Sequence, residues 1–394
     1  MSKKLRLVIL GMMGRSPFGG QTWLYLNWIR AFSRLGHEVY YVEDDTLSQG
    51  VWPYDPEQNT VTDDCSYAVR HIADCMNRIG LPDRWAFRLA DRVGACWGTS
   101  PRGLEELYRS CDALLNVVGA TDLREEHLAA PFRVYVQTDP VIAELRLANN
   151  DEHTRIAFAN HHVIATYGEN YGAPDCGIPL NGIAYKKTRQ PVDLDLWPMA
   201  YDPGTRLFTT IGNYRQGGSD VEYNDEVYRW SKHHEWEKFL DLPRRTNQPF
   251  ELALKLDDPA DRERLEAHGW RVVSPFRMSL NVFGDYPAYF RRSRAEFTVA
   301  KDQNVRLRSG WFSERDACYL GCGKPVVAQD TGFGNVLPTG EGLFAFTTTE
   351  EALDAIDAIN GDYRRHCEAA RAIAEEYFEA RSVAARLLAD IGLA

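Results

Sequence analysis

A chain of 394 residues is too long for one ordinary hydrophobic core, so two domains are expected. Its 44% hydrophobic and 26% charged residues are typical of a folded enzyme and exclude a disordered or collagen-like protein. The net charge of −11 argues against a general nucleic-acid binder, although a few local cations could still hold a small anion.

The sequence contains no apolar run near the roughly 20 residues that span a membrane. The basic N-terminus is followed by Leu7–Leu10, which is too short for a signal peptide and predicts a first buried strand. The eight cysteines form no CxxC pair and no zinc-like cluster with histidine. We therefore expect a cytoplasmic protein with free cysteines and no metal site.

Apolar runs and helical patterns alternate through both halves of the chain, as is typical of α/β domains with parallel sheets. In the first half we predict strands at 5–10, 38–42, 113–118, 132–136 and 163–166. The predicted helices run from Gly20 to about Leu35 and over 67–79 and 103–110.

The second half repeats this alternation. The predicted strands cover 206–211, 251–255, 270–273, 295–299, 325–328 and 342–346. The aromatic-rich residues 223–236 predict an amphipathic helix, and 349–391 is almost wholly helical with a break near Asn360. We therefore predict a first domain over 1–190, a linker over 191–204, a second domain over 205–375 and a C-terminal helix over 376–394.

The loop 11–20 between the first strand and the first helix is rich in glycine. Glycines let a ligand approach the backbone, and a helix N-terminus offers free N–H groups and a partial positive charge. Together they predict a site for a diphosphate. The glycine spacing is neither GxGxxG nor the Walker pattern, so a dinucleotide site is not indicated, and a simple tight turn stays a possible alternative.

A second candidate region is the long segment 301–325, which starts at a predicted strand end. Lys301, Arg306 and Arg308 bring positive charge to the carboxyl edge of the second sheet, where α/β sheets bind ligands. Ser313 and Asp316 have the spacing of a helix-capping pair, and that structural role is as well supported as a ligand contact.

At this point the chain resembles a known family. Gly19-Gly20 followed by a helix and Leu35-Gly-His-Glu-Val39, together with Gly323-Lys-Pro-Val-Val and Pro338-Thr-Gly-Glu-Gly, resemble the retaining GT-B glycosyltransferases that include sucrose and glycogen synthases. The resemblance implies two Rossmann-like domains facing each other across a cleft, with C-terminal helices packing back on the first domain. It also implies sugar transfer from a UDP-, dTDP- or GDP-linked donor, without a further cofactor, to a small-molecule or glycan acceptor.

Residue roles follow from the resemblance. Gly19 and Gly20 would face the donor diphosphate or its sugar, and Arg215 and Lys301 would contact the diphosphate. Where the family has a glutamate that holds the ribose hydroxyls this chain has Cys318, and Glu314, one helical turn earlier, is the candidate replacement. The predicted donor-binding residues are Gly19, Gly20, Asn213, Arg215, Lys301, Arg308, Ser309, Ser313 and Glu314.

The predicted catalytic residues are Asp139, His161 and Arg215. The family often has a His-Asp pair after the strand that corresponds to 132–136, and here the pair is Thr138-Asp139. Asp139 could orient an acceptor hydroxyl or act as a base, and His161 could supply an imidazole, although a structural role for this histidine is the commoner case. Arg215, Lys301 and the first helix would stabilise the leaving diphosphate. Retention rests on the resemblance alone, and inversion stays open.

Other functions remain alternatives at this level. A nucleotide-sugar epimerase or a phosphorylase would bind the same donor without the same transfer. A two-lobed binding protein would close on a small anion without turnover, and an NAD-linked oxidoreductase is disfavoured by the glycine spacing. The aromatic region 223–236 could also bind a partner. The sequence predicts no nucleic-acid partner and leaves the oligomeric state open.

Overall fold

The computed structural model describes residues 3–46 and 52–394. The strands of the first domain are β1 (Arg6–Leu10), β2 (Glu38–Asp45), β3 (Tyr54–Asp55), β4 (Thr60–Val61), β5 (Trp85–Leu89), β6 (Cys96–Trp97), β7 (Ala113–Val117), β8 (Arg133–Gln137), β9 (Val163–Thr166) and β10 (Lys186–Lys187). Its helices are α1 (Gly19–Arg34), α2 (Ser66–Arg78), α3 (Pro101–Ser110), α4 (Glu125–Leu128), α5 (Ile142–Ala148) and α6 (Glu152–Ala159).

The second domain follows the same plan. Its strands are β11 (Phe208–Asn213), β12 (Val221–Tyr223), β13 (Glu226–Tyr228), β14 (Phe250–Lys255), β15 (Arg271–Val273), β16 (Ala295–Thr298), β17 (Val326–Gln329) and β18 (Leu343–Phe346). Its helices are α7 (His233–Trp236), α8 (Pro259–Ala267), α9 (Phe276–Leu280), α10 (Asp285–Arg291), α11 (Asp302–Arg306), α12 (Glu314–Gly321), α13 (Thr349–Gly361), α14 (Tyr363–Ile373) and α15 (Ala380–Asp390).

Each domain is built on one main sheet. The first has the order β10-β9-β8-β7-β1-β2-β5-β6 and is parallel except for the β5–β6 pair, and the second has the parallel order β15-β14-β11-β16-β17-β18. The central strands are buried along most of their length, as expected when helices cover both faces of a sheet. The predicted α/β class with two Rossmann-like domains is therefore confirmed.

One hydrophobic core extends from the first domain into the second. Trp197, in the connection between the two sheets, is fully buried, and its ring centroid lies 5.0 Å from that of Trp23 on α1 and 5.1 Å from that of Phe290 on α10. Because this indole packs against both domains, it fixes their relative position.

The C-terminal helices return to the first domain, as predicted. Residues Ala374–Phe378 form a π-helical turn, after which the backbone of Val192 accepts a hydrogen bond from Ala380 and donates one to Phe378. Helix α15 then packs along α1, with Val383 and Leu387 in the common core. None of the helices in the described ranges is long and apolar enough to cross a membrane.

The helix predicted over 223–236 is wrong. Strands β12 and β13 form an antiparallel hairpin there, and only His233–Trp236 is α-helical. The hairpin turn contains Asn224 and Asp225, both with positive φ (51° and 61°), the conformation of a tight hairpin turn. The spacing of the aromatic residues is that of an amphipathic helix, but the Asn224-Asp225 turn favours a hairpin, and the hairpin forms.

We expect Asp193→Asn to destabilise the protein by about 1–3 kcal/mol. The substitution removes the fully buried carboxylate of the interdomain connection and with it the ion pairs to two arginines. Asp193 pairs with Arg30 (2.8 Å) and with Arg34, both on α1. Urea unfolding measures the effect. Asp74→Asn, in an exposed pair with Arg78, is the matched control and should change stability by less than about 0.5 kcal/mol. Equal effects of the two substitutions would contradict the prediction.

Candidate functional site

A cleft of about 930 Å³ lies between the carboxyl edges of the two sheets. The first domain lines it with residues that follow β1, β2, β8 and β9, including Phe18, Gly20, Gln21, Tyr54, Asp139 and Tyr167. The second domain lines it with residues that follow β11, β14 and β15 and with the start of α12, including Asn213, Lys255, Arg262, Phe276, Ser313 and Glu314. This is the edge at which α/β sheets bind ligands, and the volume suits a substrate of nucleotide size.

The glycine-rich loop is closed by a carboxylate from within the protein. Glu43, on β2, accepts hydrogen bonds from the backbone N–H groups of Gly14 (2.5 Å) and Arg15 (3.1 Å) and from the Tyr41 hydroxyl (2.6 Å). The Arg15 guanidinium pairs with Glu43 and with Asp45 (2.8 Å). These loop N–H groups already donate to Glu43 and are not available to an anion. The anion site predicted for the whole loop is therefore restricted to the first turn of α1.

The first turn of α1 faces the cleft. Gly20 and Gln21 line it, and N–H groups in a first helical turn have no partner within their own helix. Gly19 lies behind them against Tyr286 of the second domain, where an added Cβ would come within 2.5 Å of the ring. Gly19 thus permits close domain contact, while Gly20 presents backbone to the cleft.

Positive charge reaches the cleft from side chains that the sequence did not single out. Lys255, at the end of β14, and Arg262, on α8, both line it, and their only ion pairs are solvent-exposed ones with Asp257 (3.4 Å) and Glu266 (3.1 Å) among the residues that the structure describes.

The Lys232 ammonium lies 5.3 Å from the ring centroid of Trp311, another lining residue, and burial lowers the pKa of this lysine to about 7. Lys232 makes no ion pair in the part of the chain that the structure describes, although Asp316 and Glu296 lie near enough to favour its charged form.

Arg315 also lines the cleft, but its charge is already compensated. Its guanidinium pairs with Glu296 and with Asp316 (3.0 Å) and donates to Thr298 Oγ1 (2.7 Å). Burial raises the pKa of Glu296, and the adjacent Arg315 guanidinium opposes that shift by stabilising the carboxylate. Arg315 therefore forms a rigid polar floor for the cleft.

Glu314 and Cys318 lie on the cleft-facing side of α12. Glu314 Oε1 accepts a hydrogen bond from Asn27 of the first domain (3.2 Å), whereas its Oε2 is shielded from solvent and has no partner in the described ranges. Burial raises the pKa of Glu314 to about 8. Ser313 lines the cleft and also caps α12 together with Asp316, so the structural role expected for this pair is present.

Asp139 and Lys301 form an ion pair across the two domains. Lys301 is 5% exposed, and its ammonium lies 3.0 Å from the ring centroid of Trp230. The neighbouring Trp311 donates from Nε1 to the carbonyl of Thr138 (3.0 Å). Residues 138–139 are therefore held by the second domain, and the partly exposed Asp139 side chain lines the cleft at that end.

Besides Gly19 and Lys301, four predicted site residues are placed outside the cleft lining. Arg215 makes a bidentate pair with Asp261 (2.6 and 2.8 Å), Arg308 pairs with Asp175 (2.7 Å) and Asp330 (2.8 Å), and the buried Ser309 donates to Asn304 (2.8 Å). These contacts give each side chain a partner outside the cleft lining, and the donor contacts expected for them stay predictions.

His161 is the fourth. Its Nδ1 lies 2.7 Å from the carbonyl of Ala157 and its Nε2 lies 3.3 Å from the Asn116 amide nitrogen, which can only donate. Nδ1 therefore carries the proton and Nε2 accepts. Burial lowers the pKa of His161 to about 4, so the ring is neutral at physiological pH. These contacts give the ring a structural role, and the catalytic role expected for it stays a prediction.

Among residues 3–46 and 52–394, no group of three or more His, Cys, Asp or Glu side chains is arranged to hold a metal ion. All eight cysteines are free, and six of them are buried.

Solved structures share this two-domain arrangement over nearly the whole chain. An alpha-glucosyltransferase in complex with UDP and a 13-mer DNA matches with a TM-score of 0.57 at 11% identity, covering 98% of this chain and 99% of that one. HepE of Anabaena in complex with UDP-glucose gives 0.59 at 13% identity, with the same two coverages. Sucrose-phosphate synthase from Thermosynechococcus elongatus gives 0.54 at 12% identity, covering 98% and 97%. The chain has the GT-B fold.

The match is one of structure and not of sequence. No family model and no curated protein matches this sequence. At 11–13% identity the GT-B neighbours establish the fold alone, since one fold can carry many functions.

We expect the free energy of unfolding contributed by Glu314 to fall as the pH rises. In the folded protein the Glu314 carboxyl stays protonated up to about pH 8, whereas in the unfolded chain it loses its proton near the ordinary pKa of 4.5. Its contribution to stability is therefore fully present below pH 4.5 and is lost as the pH rises to about 8. Between about pH 5 and pH 8 the loss is on the order of 1–3 kcal/mol. Glu314→Gln, which stays neutral, should show a shallower fall than wild type.

Urea unfolding at several pH values tests this, with the exposed Glu263→Gln as the matched control. Wild-type and Glu314→Gln proteins that lose stability in parallel would show that this carboxyl does not hold its proton in the folded state.

Proposed function

We propose that this protein is a glycosyltransferase that moves a sugar from a nucleoside-diphosphate donor to a small-molecule or glycan acceptor. The observation that carries the proposal is the interdomain cleft of a GT-B fold, which joins cationic side chains and a helix N-terminus to a carboxylate held between the domains. Solved structures with this fold include enzymes in complex with UDP or UDP-glucose. We further propose a cytoplasmic location, in keeping with the free cysteines.

The donor diphosphate would lie in the middle of the cleft. Lys255, Arg262 and the first turn of α1 supply positive charge there, and Lys232 lies behind Trp311 and makes no ion pair in the described chain. A bound diphosphate would favour the protonated form of Lys232. As the bond to the sugar breaks, negative charge grows on the leaving diphosphate, and these preorganised groups stabilise it.

The nucleoside would occupy the end of the cleft near β2 and β15. Phe18 and Tyr54 of the first domain lie with ring centroids 5.4 Å apart, and Phe276 of the second domain lies 6.2 Å from Phe18. All three line the cleft and offer apolar faces to a base. The sequence does not identify that base, so UDP, dTDP and GDP donors remain candidates.

The sugar and the acceptor would then occupy the end near β8 and β9. Asp139 would orient the acceptor hydroxyl there, and Lys301 would act as a positioning residue that holds the carboxylate in place through their ion pair. This assignment replaces the diphosphate contact that the sequence predicted for Lys301. Both stereochemical outcomes remain compatible with a carboxylate in this position.

We expect one nucleoside diphosphate to raise the melting temperature by roughly 3 °C at about 100 times its dissociation constant, equivalent to about 2.7 kcal/mol. UDP, GDP, dTDP, ADP, CMP and NAD are tested separately by thermal unfolding. The double variant Lys255→Ala/Arg262→Ala should lose most of the shift, because both side chains line the cleft and are partly exposed.

Arg215→Ala is the matched control, since this arginine is paired with Asp261 outside the cleft lining and its loss should leave the nucleotide shift intact. A shift with NAD and with no diphosphate would contradict the proposed function. A shift lost equally in Arg215→Ala would return that residue to the donor site.

We expect Lys301→Met and Asp139→Asn to lower sugar release from the donor at least tenfold while leaving the nucleotide-induced shift unchanged, because both residues lie at the sugar end. Release of the nucleoside diphosphate is the measurement, with water or a glycan mixture as acceptor. Lys301→Arg should recover part of the rate, and Lys186→Met, an exposed lysine on β10, is the control. Loss of the nucleotide shift in Lys301→Met would instead show that Lys301 contacts the diphosphate.

Product analysis in the same assay separates the alternatives. An epimerase would return the nucleotide linked to a different sugar, and a phosphorylase would need inorganic phosphate to release the sugar. Transfer to an acceptor hydroxyl is the outcome that supports the proposed function.

A further inference from the structure

A second cavity of about 590 Å³ opens at the opposite edge of the second sheet. Arg206, Pro249 and Arg294 precede β11, β14 and β16, whereas the interdomain cleft lies at the carboxyl ends of this parallel sheet. Helix α13 closes one side with Asp357 and Asn360. A donor in the cleft would therefore be separated from this cavity by the length of the strands.

The floor of the cavity is a network of fixed polar groups. The buried Gln248 donates to the carbonyls of Arg206 (2.5 Å) and Pro249 (2.8 Å) and accepts from Asn360 (3.0 Å). Asn360 in turn accepts from Arg294 Nε (2.6 Å). The floor is thus already hydrogen-bonded and would not have to reorganise when a ligand enters.

Three guanidinium groups surround this floor. Arg294 lies 3.9 Å from the ring centroid of Tyr363, and burial, with a smaller contribution from the like-charged Arg206, lowers its pKa. One guanidinium nitrogen of Arg245 forms an ion pair with the exposed Glu350 (2.9 Å). Arg206 has no acidic partner among the residues that the structure describes.

The charge balance is unusual for this protein. The chain carries a net charge of −11, yet the lining of this cavity has three arginines and a single carboxylate, Asp357. Like charges held close together are unfavourable without a counter-ion, and planar guanidinium groups match the oxygens of a phosphate. Thr246 and Asn247 add neutral hydrogen-bonding groups to the lining.

We infer that this cavity, which we call the arginine pocket (Arg206, Arg245 and Arg294), is a second binding site, specific for a small phosphate-bearing molecule. Its volume accepts a phosphorylated compound of sugar size. It adjoins α13 and, through the contact of Arg294 with Tyr363, the start of α14, whose continuation packs on the first domain. The ligand is therefore an effector or an anchor and not the sugar donor.

Inorganic pyrophosphate and phosphate serve as probes in isothermal titration calorimetry. The double variant Arg206→Ala/Arg245→Ala keeps the fold because both side chains are exposed, and it should bind pyrophosphate at least tenfold more weakly than wild type. The cleft variant Lys255→Ala/Arg262→Ala should retain this binding event, which should weaken with added salt. Arg102→Ala, an exposed arginine on α3, is the matched control.

Pyrophosphate binding that is lost in the cleft variant and unchanged in the pocket variant would overturn the inference, as would no binding up to about 10 mM. Nucleotide binding measured in the same proteins reports on the cleft separately, so the two proposals can fail independently. Co-sedimentation with vesicles containing phosphatidic acid, lost only in the pocket variant, would assign the phosphate to a lipid headgroup, whereas binding of soluble pyrophosphate without co-sedimentation would assign it to a free compound.

Discussion

The burial of Trp197 between the two domains is the constraint on which the rest of the molecule depends. Its indole ring packs against Trp23 of α1 on one side and Phe290 of α10 on the other. A cavity in place of such a side chain costs about 3–5 kcal/mol, so the two sheets are held in one relative position. Only in that position do Asp139 and Lys301 meet, and only there does Glu314 reach Asn27. The cleft is therefore a property of the connection between the domains as much as of either sheet.

The sequence was most informative where a local pattern determines a local structure. The parallel strands and the first helix could be predicted because apolar periodicity and glycine positions reflect how each element is buried, whereas the return of the C-terminal helices to the first domain was implied by the family resemblance alone. The hairpin of β12 and β13 could not, because its aromatic spacing imitates a helix and only the Asn224-Asp225 turn reveals the strands. Where local sequence patterns favour different structures for the same segment, packing against the rest of the protein decides which structure forms.

The site was harder to predict because its chemistry depends on pairs that are distant in sequence. Arg215 follows β11 as the resemblance required, but Asp261, on α8, binds its guanidinium. Lys255 and Arg262 have no distinctive motif and reach the cleft through the order of the strands. The position of Lys255 at the end of a predicted strand could have indicated a ligand contact. No sequence pattern indicated that Lys301 would pair with Asp139, 162 positions away.

The bonds from Glu43 to Gly14 and Arg15 have a consequence for how tightly a substrate can be held. A glycine-rich loop that becomes ordered only around its ligand gives up part of the binding free energy to lost backbone freedom. Here the internal carboxylate orders the loop during folding, so the loop has its final shape before any substrate arrives. Affinity in the cleft is then governed by the groups that touch the substrate, and association requires no preceding rearrangement of this segment.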